Sequence, residues 1–164
     1  MTKRLILMRH AKSGWDDPTL DDHDRPLNGR GRVSAQALGD WLRTKRIFPD
    51  QALVSSAART RETFARLGLA MDAGFDRALY LAPPNVMMTA LKGATGDTVL
   101  MIGHNPGIAE LANSLMREQP NHTRFYDYPT CATLVAEFQI DDWAQLTPGS
   151  GALVEFTIPR ELTG

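Results

Sequence analysis

The chain has 164 residues, 43% of them apolar and 23% charged, which suits one soluble globular domain spanning 1–164 with a sizeable core. A formal net charge of −1 excludes a general attraction to nucleic acid or to an anionic membrane, so any basic character has to be local. The single cysteine, Cys131, excludes an intramolecular disulfide, no apolar run is long enough to span a bilayer, and the short apolar stretch after Met1-Thr-Lys-Arg cannot serve as a signal-peptide core. The cytoplasm is the expected compartment.

In chain order, Leu5–Met8 reads as a buried strand that ends abruptly at Arg9-His10. Residues 14–28 hold Pro18, Pro26, Asn28 and five aspartates without apolar periodicity, and read as a long polar loop of the kind that often carries function. A helix is predicted from Gly31 to about Lys45, with Val33, Ala37, Trp41 and Leu42 on its inner face. Ala52–Ser55 reads as a second strand. Ser56 is suited to N-cap a helix over Ala57–Leu67, with Phe64 and Leu67 inward and Gly68 at its C-terminus. Leu79-Tyr-Leu is predicted as a weaker strand, and Pro84-Asn85 opens a helix carrying Val86, Ala90 and Leu91. Val99–Ile102 is a strand, followed by a helix from Pro106 with Ile108, Leu111, Ala112 and Leu115 on one face. Alternating strands and helices predict an α/β fold, a three-layer α/β/α sandwich with a mostly parallel sheet. The tail differs: Thr133–Ile140 and Ala152–Ile158 are β-rich, flank a turn at Pro148-Gly-Ser-Gly, and predict an antiparallel hairpin at one edge.

Two strands therefore end in a histidine, His10 and His104, and strand C-termini are where open α/β sheets place their ligands. A neutral imidazole is a competent nucleophile toward phosphorus. Arg9 beside His10 can clamp phosphoryl oxygens, and its charge favours the neutral imidazole. Arg59 lies in Ser55-Ser-Ala-Ala-Arg-Thr-Arg, where a helix N-terminus already favours phosphate and a guanidinium adds a bidentate fork. Arg61 and Arg66 read as solvated helix-surface residues. His104 sits in Gly103-His-Asn-Pro-Gly107, a strand-to-helix turn equivalent to that of His10. Arg25-Pro-Leu-Asn-Gly-Arg-Gly31 can guard the mouth of the site but lacks the third glycine of a dinucleotide fingerprint.

Arg9-His10 after a strand, Arg59 in a Ser-rich strand-to-helix turn and Gly103-His104-Asn105-Pro106, in this order and spacing, resemble the histidine phosphatase superfamily, the phosphoglycerate mutase-like group. Short length, Arg25-Pro26-Leu27, Leu79-Tyr80-Leu81 and Gly103–Gly107 resemble its small bacterial branch, the SixA-type phosphohistidine phosphatases. The resemblance implies a phosphoglycerate mutase-like fold and a phosphatase; no cofactor is expected, and the positive charge that Arg9, Arg59 and His104 can supply predicts activity without a metal. His10 is then the nucleophile that becomes phosphorylated, with Arg9, Arg59 and His104 completing the phosphate pocket and Ser13, Asp16 and Arg25 as substrate-binding candidates. Asp16, after Trp15, stands where the larger mutases carry an asparagine, and an ionised carboxylate cannot donate a hydrogen bond. Many relatives also carry an acid after the third strand that protonates an alcohol leaving group, whereas Leu81 is followed here by Ala82-Pro-Pro-Asn85. A phosphoimidazole leaves without such an acid and an alkoxide does not, so the expected substrate is phosphohistidine in a signalling or phosphorelay protein. A small phosphomonoester is the alternative, with Asp16, Asp17, Asp21, Asp22 or Asp24 substituting for the acid.

Other chemistries fit less well. Cys131 is followed by Ala-Thr-Leu-Val-Ala-Glu, without the nearby arginine a cysteine phosphatase needs, and reads as a small core thiol. The four histidines show no metal-ligand spacing, and no Gly-x-x-x-x-Gly-Lys loop is present. A non-catalytic binder of phosphorylated proteins would use the same Arg and His set without turnover. The expected partners are thus a phosphoprotein or small phosphoester, with no nucleic acid and no membrane, and an open site suits a monomer.

Overall fold

The computed structural model describes residues 1–164. Its strands are β1 (Lys3–Arg9), β2 (Gln51–Ser55), β3 (Gly74–Asp76), β4 (Thr98–Gly103), β5 (Thr133–Phe138) and β6 (Ala152–Thr157). They form one six-stranded sheet in the order β3-β2-β4-β1-β5-β6. β1, β2, β3 and β4 run parallel, while β5 pairs antiparallel with β1 and β6 with β5. The fold is α/β, mostly parallel with an antiparallel edge.

β1 is central because Leu5, Ile6, Leu7 and Met8 carry no polar group and are all completely buried. The period of two sends Leu5 and Leu7 into one apolar cluster and Ile6 and Met8 into another on the opposite face. Each such side chain contributes about 1.5–3 kcal/mol by leaving water. The first cluster is covered by α3 (Pro84–Lys92) and α4 (Gly107–Leu115), the second by α1 (Gly29–Thr44), α2 (Ala58–Leu67) and the short α5 (Pro159–Thr163). Helices on both faces make three layers.

The local departures from expectation have identifiable causes. α1 starts at Gly29 because the Asn28 side chain accepts the Gly31 amide at 2.8 Å and caps the helix. Its buried stripe is Gly31, Ala35, Leu38, Gly39 and Leu42, while Val33 is 57% exposed. Close backbone approach sets that face: a Cβ on Gly39 would lie 2.1 Å from the Leu67 carbonyl. Ser56 does not cap α2, whose N-cap is Ala57; the Ser56 hydroxyl meets His23 Nε2 at 2.8 Å instead. The third strand is Gly74–Asp76, and Arg77–Leu79 is a 3-10 turn in which the Asp76 carboxylate accepts the Ala78 amide. The polar loop leaves and returns at one point, where Ser13 bridges Leu27 and the Gly14 amide donates to the Pro26 carbonyl at 3.0 Å.

Because β1, β2 and β4 are parallel neighbours in the order β2-β4-β1, their C-terminal tips open on one edge of the sheet. The His10 amide donates to Gly103 O at 3.1 Å, tying the first tip to the third. The start of α4 is pressed against the segment after the 3-10 turn, since a Cβ on Gly107 would fall 1.9 Å from the Ala82 carbonyl oxygen. Gly107→Ala is therefore expected to destabilise the fold by about 1–3 kcal/mol through backbone displacement. Urea denaturation checks this, and an unchanged midpoint would contradict the close approach.

Candidate active site

A cleft of about 330 Å3 lies at those strand tips, lined by Arg9, His10, Arg59, His104 and Asn105 among others, and by no Asp or Glu. His10 is 6% exposed. Its Nδ1 lies 2.7 Å from the Ala11 carbonyl oxygen. A carbonyl only accepts, so Nδ1 carries the proton and Nε2 keeps its lone pair. Burial, with the charges of Arg9, Arg59 and Arg25, pushes the His10 pKa down to about 3. Neighbouring backbone fixes the ring: the Ala11 amide donates to Thr63 Oγ1 at 3.0 Å and that hydroxyl donates to Arg59 O at 2.7 Å, while the Cys131 amide donates to His10 O at 2.9 Å.

His104, 2% exposed, faces His10 with ring centroids 5.3 Å apart. Arg59 Nη2 lies 3.4 Å from His104 Nδ1, and a guanidinium only donates. Nδ1 is thus unprotonated, and Nε2–H donates to Ser55 Oγ at 2.7 Å. Ser55, the last residue of β2, orients this second imidazole. Burial, then the neighbouring His10 and Arg59, push the His104 pKa down to about 3 as well.

Arg59 sits in the first turn of α2 and is 3% exposed. Its Nη1 donates to Asp22 O at 2.7 Å and its Nη2 to Asp22 Oδ2 at 3.0 Å. Tyr80 O–H also donates to Asp22 Oδ2, and Arg25 Nε and Nη2 donate to Oδ1 at 3.2 and 3.0 Å. Burial works to raise the Asp22 pKa, but the hydrogen bonds from Tyr80, Arg25 and Arg59 outweigh it and hold the carboxyl well below the usual range. Asp22 is a fixed anion that positions Arg59. Arg9 donates through Nη1 to Tyr128 O at 3.2 Å, and burial followed by the charge of Arg59 lowers its pKa. The Nε groups of both Arg9 and Arg59 are buried without a protein partner. Two such donors beside two neutral imidazoles favour an anion with several acceptor oxygens.

The structure brings His10, Arg9, Arg59 and His104 together and sets Ser13 and Arg25 at the same cleft. Arg25 is a buried brace rather than a free guard: Nη1 donates to Ser13 Oγ at 2.8 Å, and Trp15 stacks over the guanidinium at 3.4 Å. Asp16 is not brought to the cleft. It is exposed and lines a separate surface pocket with Gly14, Leu20 and Asn28, whereas its neighbour Trp15 stacks on Arg25. Sequence reasoning missed Asp22 as the carboxylate at the site, Tyr80 and Ser55. In sequence Asp22 is one of five loop aspartates, and Leu79-Tyr-Leu has the pattern of a strand. The serine at the tip of β2, level with the two histidine tips, was the available signal for Ser55. Cys131 is completely buried and its thiol is pushed up to about 12, which makes it an inert core residue. Leu81, Tyr128 and Cys131 adopt positive φ values of 50°, 46° and 63°. Leu81 lines the cleft, Tyr128 O receives Arg9, and Cys131 N–H holds His10, so this backbone strain is concentrated around the site.

Fold and site define a class of protein that gathers two imidazoles and two guanidinium groups at the C-terminal edge of a mostly parallel sheet. The family model of the histidine phosphatase superfamily (branch 1) matches residues 5–79. An uncharacterised protein of Mycobacterium tuberculosis is 35% identical over 160 residues, covering 93% of this chain and all of the relative. A candidate phosphohistidine phosphatase SixA of Nakamurella multipartitia superposes with a TM-score of 0.84 at 28% identity, covering 97% of each chain. The protein histidine phosphatase SixA in complex with tungstate superposes with a TM-score of 0.77 at 23% identity, covering 97% of this chain and 99% of that one, a likeness of fold. The chain belongs to the histidine phosphatase superfamily, in its SixA-type branch, and is a phosphatase.

Both imidazoles are neutral in the folded protein, whereas in the unfolded chain they protonate near the ordinary value of 6.5. Their contribution to stability is complete above about pH 6.5 and is lost as pH falls toward 3, because the unfolded state takes up protons first. Each histidine is expected to add roughly 1.4 kcal/mol per pH unit to the slope in that window. Denaturant titrations from pH 7 to 4 check this, with a shallower slope expected for His104→Gln; equal slopes in the two proteins would contradict it.

Proposed function

We propose that the protein removes the phosphoryl group from phosphohistidine in a protein substrate, through a phosphohistidine intermediate on His10. The observation that carries the reading is the pairing of a nucleophile fixed with Nε2 free and a cleft lined by no proton-donating carboxyl group.

In the first step His10 Nε2 attacks phosphorus, the N–P bond of the substrate breaks, and its electron pair stays on the leaving imidazole. That imidazole departs neutral when its other nitrogen is already protonated, so no acid is required. His10 then bears a positive charge balanced by the phosphoryl oxygens, and its Nδ1–H bond to the Ala11 carbonyl keeps the ring in line. Arg9 and Arg59 supply positive charge to those oxygens. A singly protonated phosphoryl group shares its own proton with His104 Nδ1, which is unprotonated in the free cleft, while Nε2–H stays on Ser55 Oγ. Water then attacks phosphorus, the bond to His10 breaks, and inorganic phosphate leaves.

Asp22 does not serve as the missing acid, since three donors keep it ionised. Asp16 lies at another pocket. An alkoxide leaving group would therefore depart without a proton source, which disfavours sugar phosphates.

A leaving-group series tests this. Turnover of a phosphohistidine peptide and of aryl phosphates is expected to fall steeply along the series to alkyl phosphates, by about tenfold or more per unit of leaving-group pKa at the steep limit. It is expected to persist in EDTA, with Asp16→Asn indistinguishable from the parent. A flat dependence, or a parent profile that steepens in Asp16→Asn, would overturn the phosphohistidine reading in favour of a small-molecule phosphatase.

A further inference from the structure

A groove of about 650 Å3 runs beside the active cleft, and Lys12 and Thr130 line both. Its cations are Lys12, Arg30, Arg124 and Arg160, and no Asp or Glu side chain lines it. Lys12, Arg30 and Arg160 are exposed and form no ion pair within the chain. Against the four cations stand Asp127, which pairs with Arg124 at 2.9 Å, and the terminal carboxylate of Gly164, so the groove remains positive. The 16-residue helix α1 also opens here with Gly29 and Arg30, adding the positive end of its dipole. This is a local departure from a chain whose formal net charge is −1.

The groove is much larger than a phosphoryl group requires and joins the cleft where Lys12 follows the nucleophile by two residues. A ligand filling both must carry a phosphoryl group at one end and further negative charge beside it. No aromatic side chain lines the groove, which removes the stacking platform that single-stranded nucleic acid uses. The lining is largely polar, which removes the apolar face that membrane insertion uses.

We propose that this groove docks an acidic segment of the phosphoprotein substrate adjacent to its phosphohistidine, an inference that rests on the phosphohistidine reading above. Lys12 lies at the junction, while α1 contributes Arg30 and α5 contributes Arg160 to the groove. Charge pairing on an exposed surface contributes modestly per contact and acts on encounter and affinity rather than on the chemical step. The groove would thus select which phosphohistidine is presented, and the cleft would remove the phosphate.

Two phosphohistidine peptides of equal length test the proposal, one flanked by Asp and Glu, the other by Ser and Gln. For the parent protein the acidic peptide is expected to have the lower KM. In Arg30→Glu/Arg160→Glu its KM is expected to rise roughly tenfold at low salt, with kcat unchanged. The neutral peptide and an aryl phosphate are expected to react as with the parent, which shows that the variant is folded and active. Equal KM values for the two peptides in the parent, or no change in the double variant, would overturn the groove. If neither peptide is hydrolysed while the aryl phosphate is, the phosphohistidine reading fails. Fluorescence anisotropy of the labelled, unphosphorylated acidic peptide still decides the groove in that case: binding abolished in the double variant supports it, and binding retained overturns it. Stronger binding of an RNA oligonucleotide or of anionic vesicles than of the acidic peptide would overturn the assignment to a protein segment.

Discussion

Two guanidinium groups and two imidazoles, all buried except the half-buried Arg9, lie side by side at the tips of β1, α2 and β4, and the one carboxylate bound to any of them is Asp22, on Arg59. Every other feature of the site answers to that crowding of positive and neutral donors. Both imidazoles stay neutral because a further positive charge beside Arg9 and Arg59 would be costly in a desolvated cleft. Asp22 is gripped by Tyr80, Arg25 and Arg59 at once, which neutralises one guanidinium and leaves its Nε free. The strained residues Tyr128 and Cys131 hold a carbonyl and an amide group in the places that Arg9 and His10 need. The fold offsets the cost of this arrangement in the apolar strand β1, whose four buried residues anchor the backbone that leads to His10.

The histidine tautomers divide the labour. The Ala11 carbonyl leaves His10 with an unprotonated Nε2, and the Ser55 hydroxyl together with Arg59 leaves His104 with an unprotonated Nδ1. Two chemically identical side chains, close together, thus differ in which nitrogen is available. The difference comes from a main-chain carbonyl in one case and a strand-end hydroxyl in the other, both fixed by parallel pairing of β1, β4 and β2.

Much of this was legible in the sequence where one residue type dominates a short segment. The apolar run before Arg9-His10, the turn Gly103–Gly107, the apolar face of α4 and the β-rich tail each lie where the pattern placed them. Legibility failed where packing uses small residues or where a long loop chooses among equals. The buried face of α1 is built on Gly31, Ala35 and Gly39, so the exposed Val33 drew the pattern to the wrong side. Asp22 rather than Asp16 reaches Arg59 because Ser13 and Leu27 close the loop, and closure is a property of the folded chain. Tyr80 follows a 3-10 turn whose sequence, Leu-Tyr-Leu, has strand character, and the Asp76 cap that makes the turn lies upstream of it.

The central claim is that the phosphoryl group passes through His10 Nε2. The direct measurement is to stop turnover of a phosphohistidine peptide under alkaline denaturing conditions and to locate phosphate on the protein by mass spectrometry and phosphorus NMR. Base-stable, acid-labile phosphate on His10 of the parent protein, absent from His10→Ala together with turnover, is the expected result. Phosphate on another residue, or turnover retained in His10→Ala, would contradict the account.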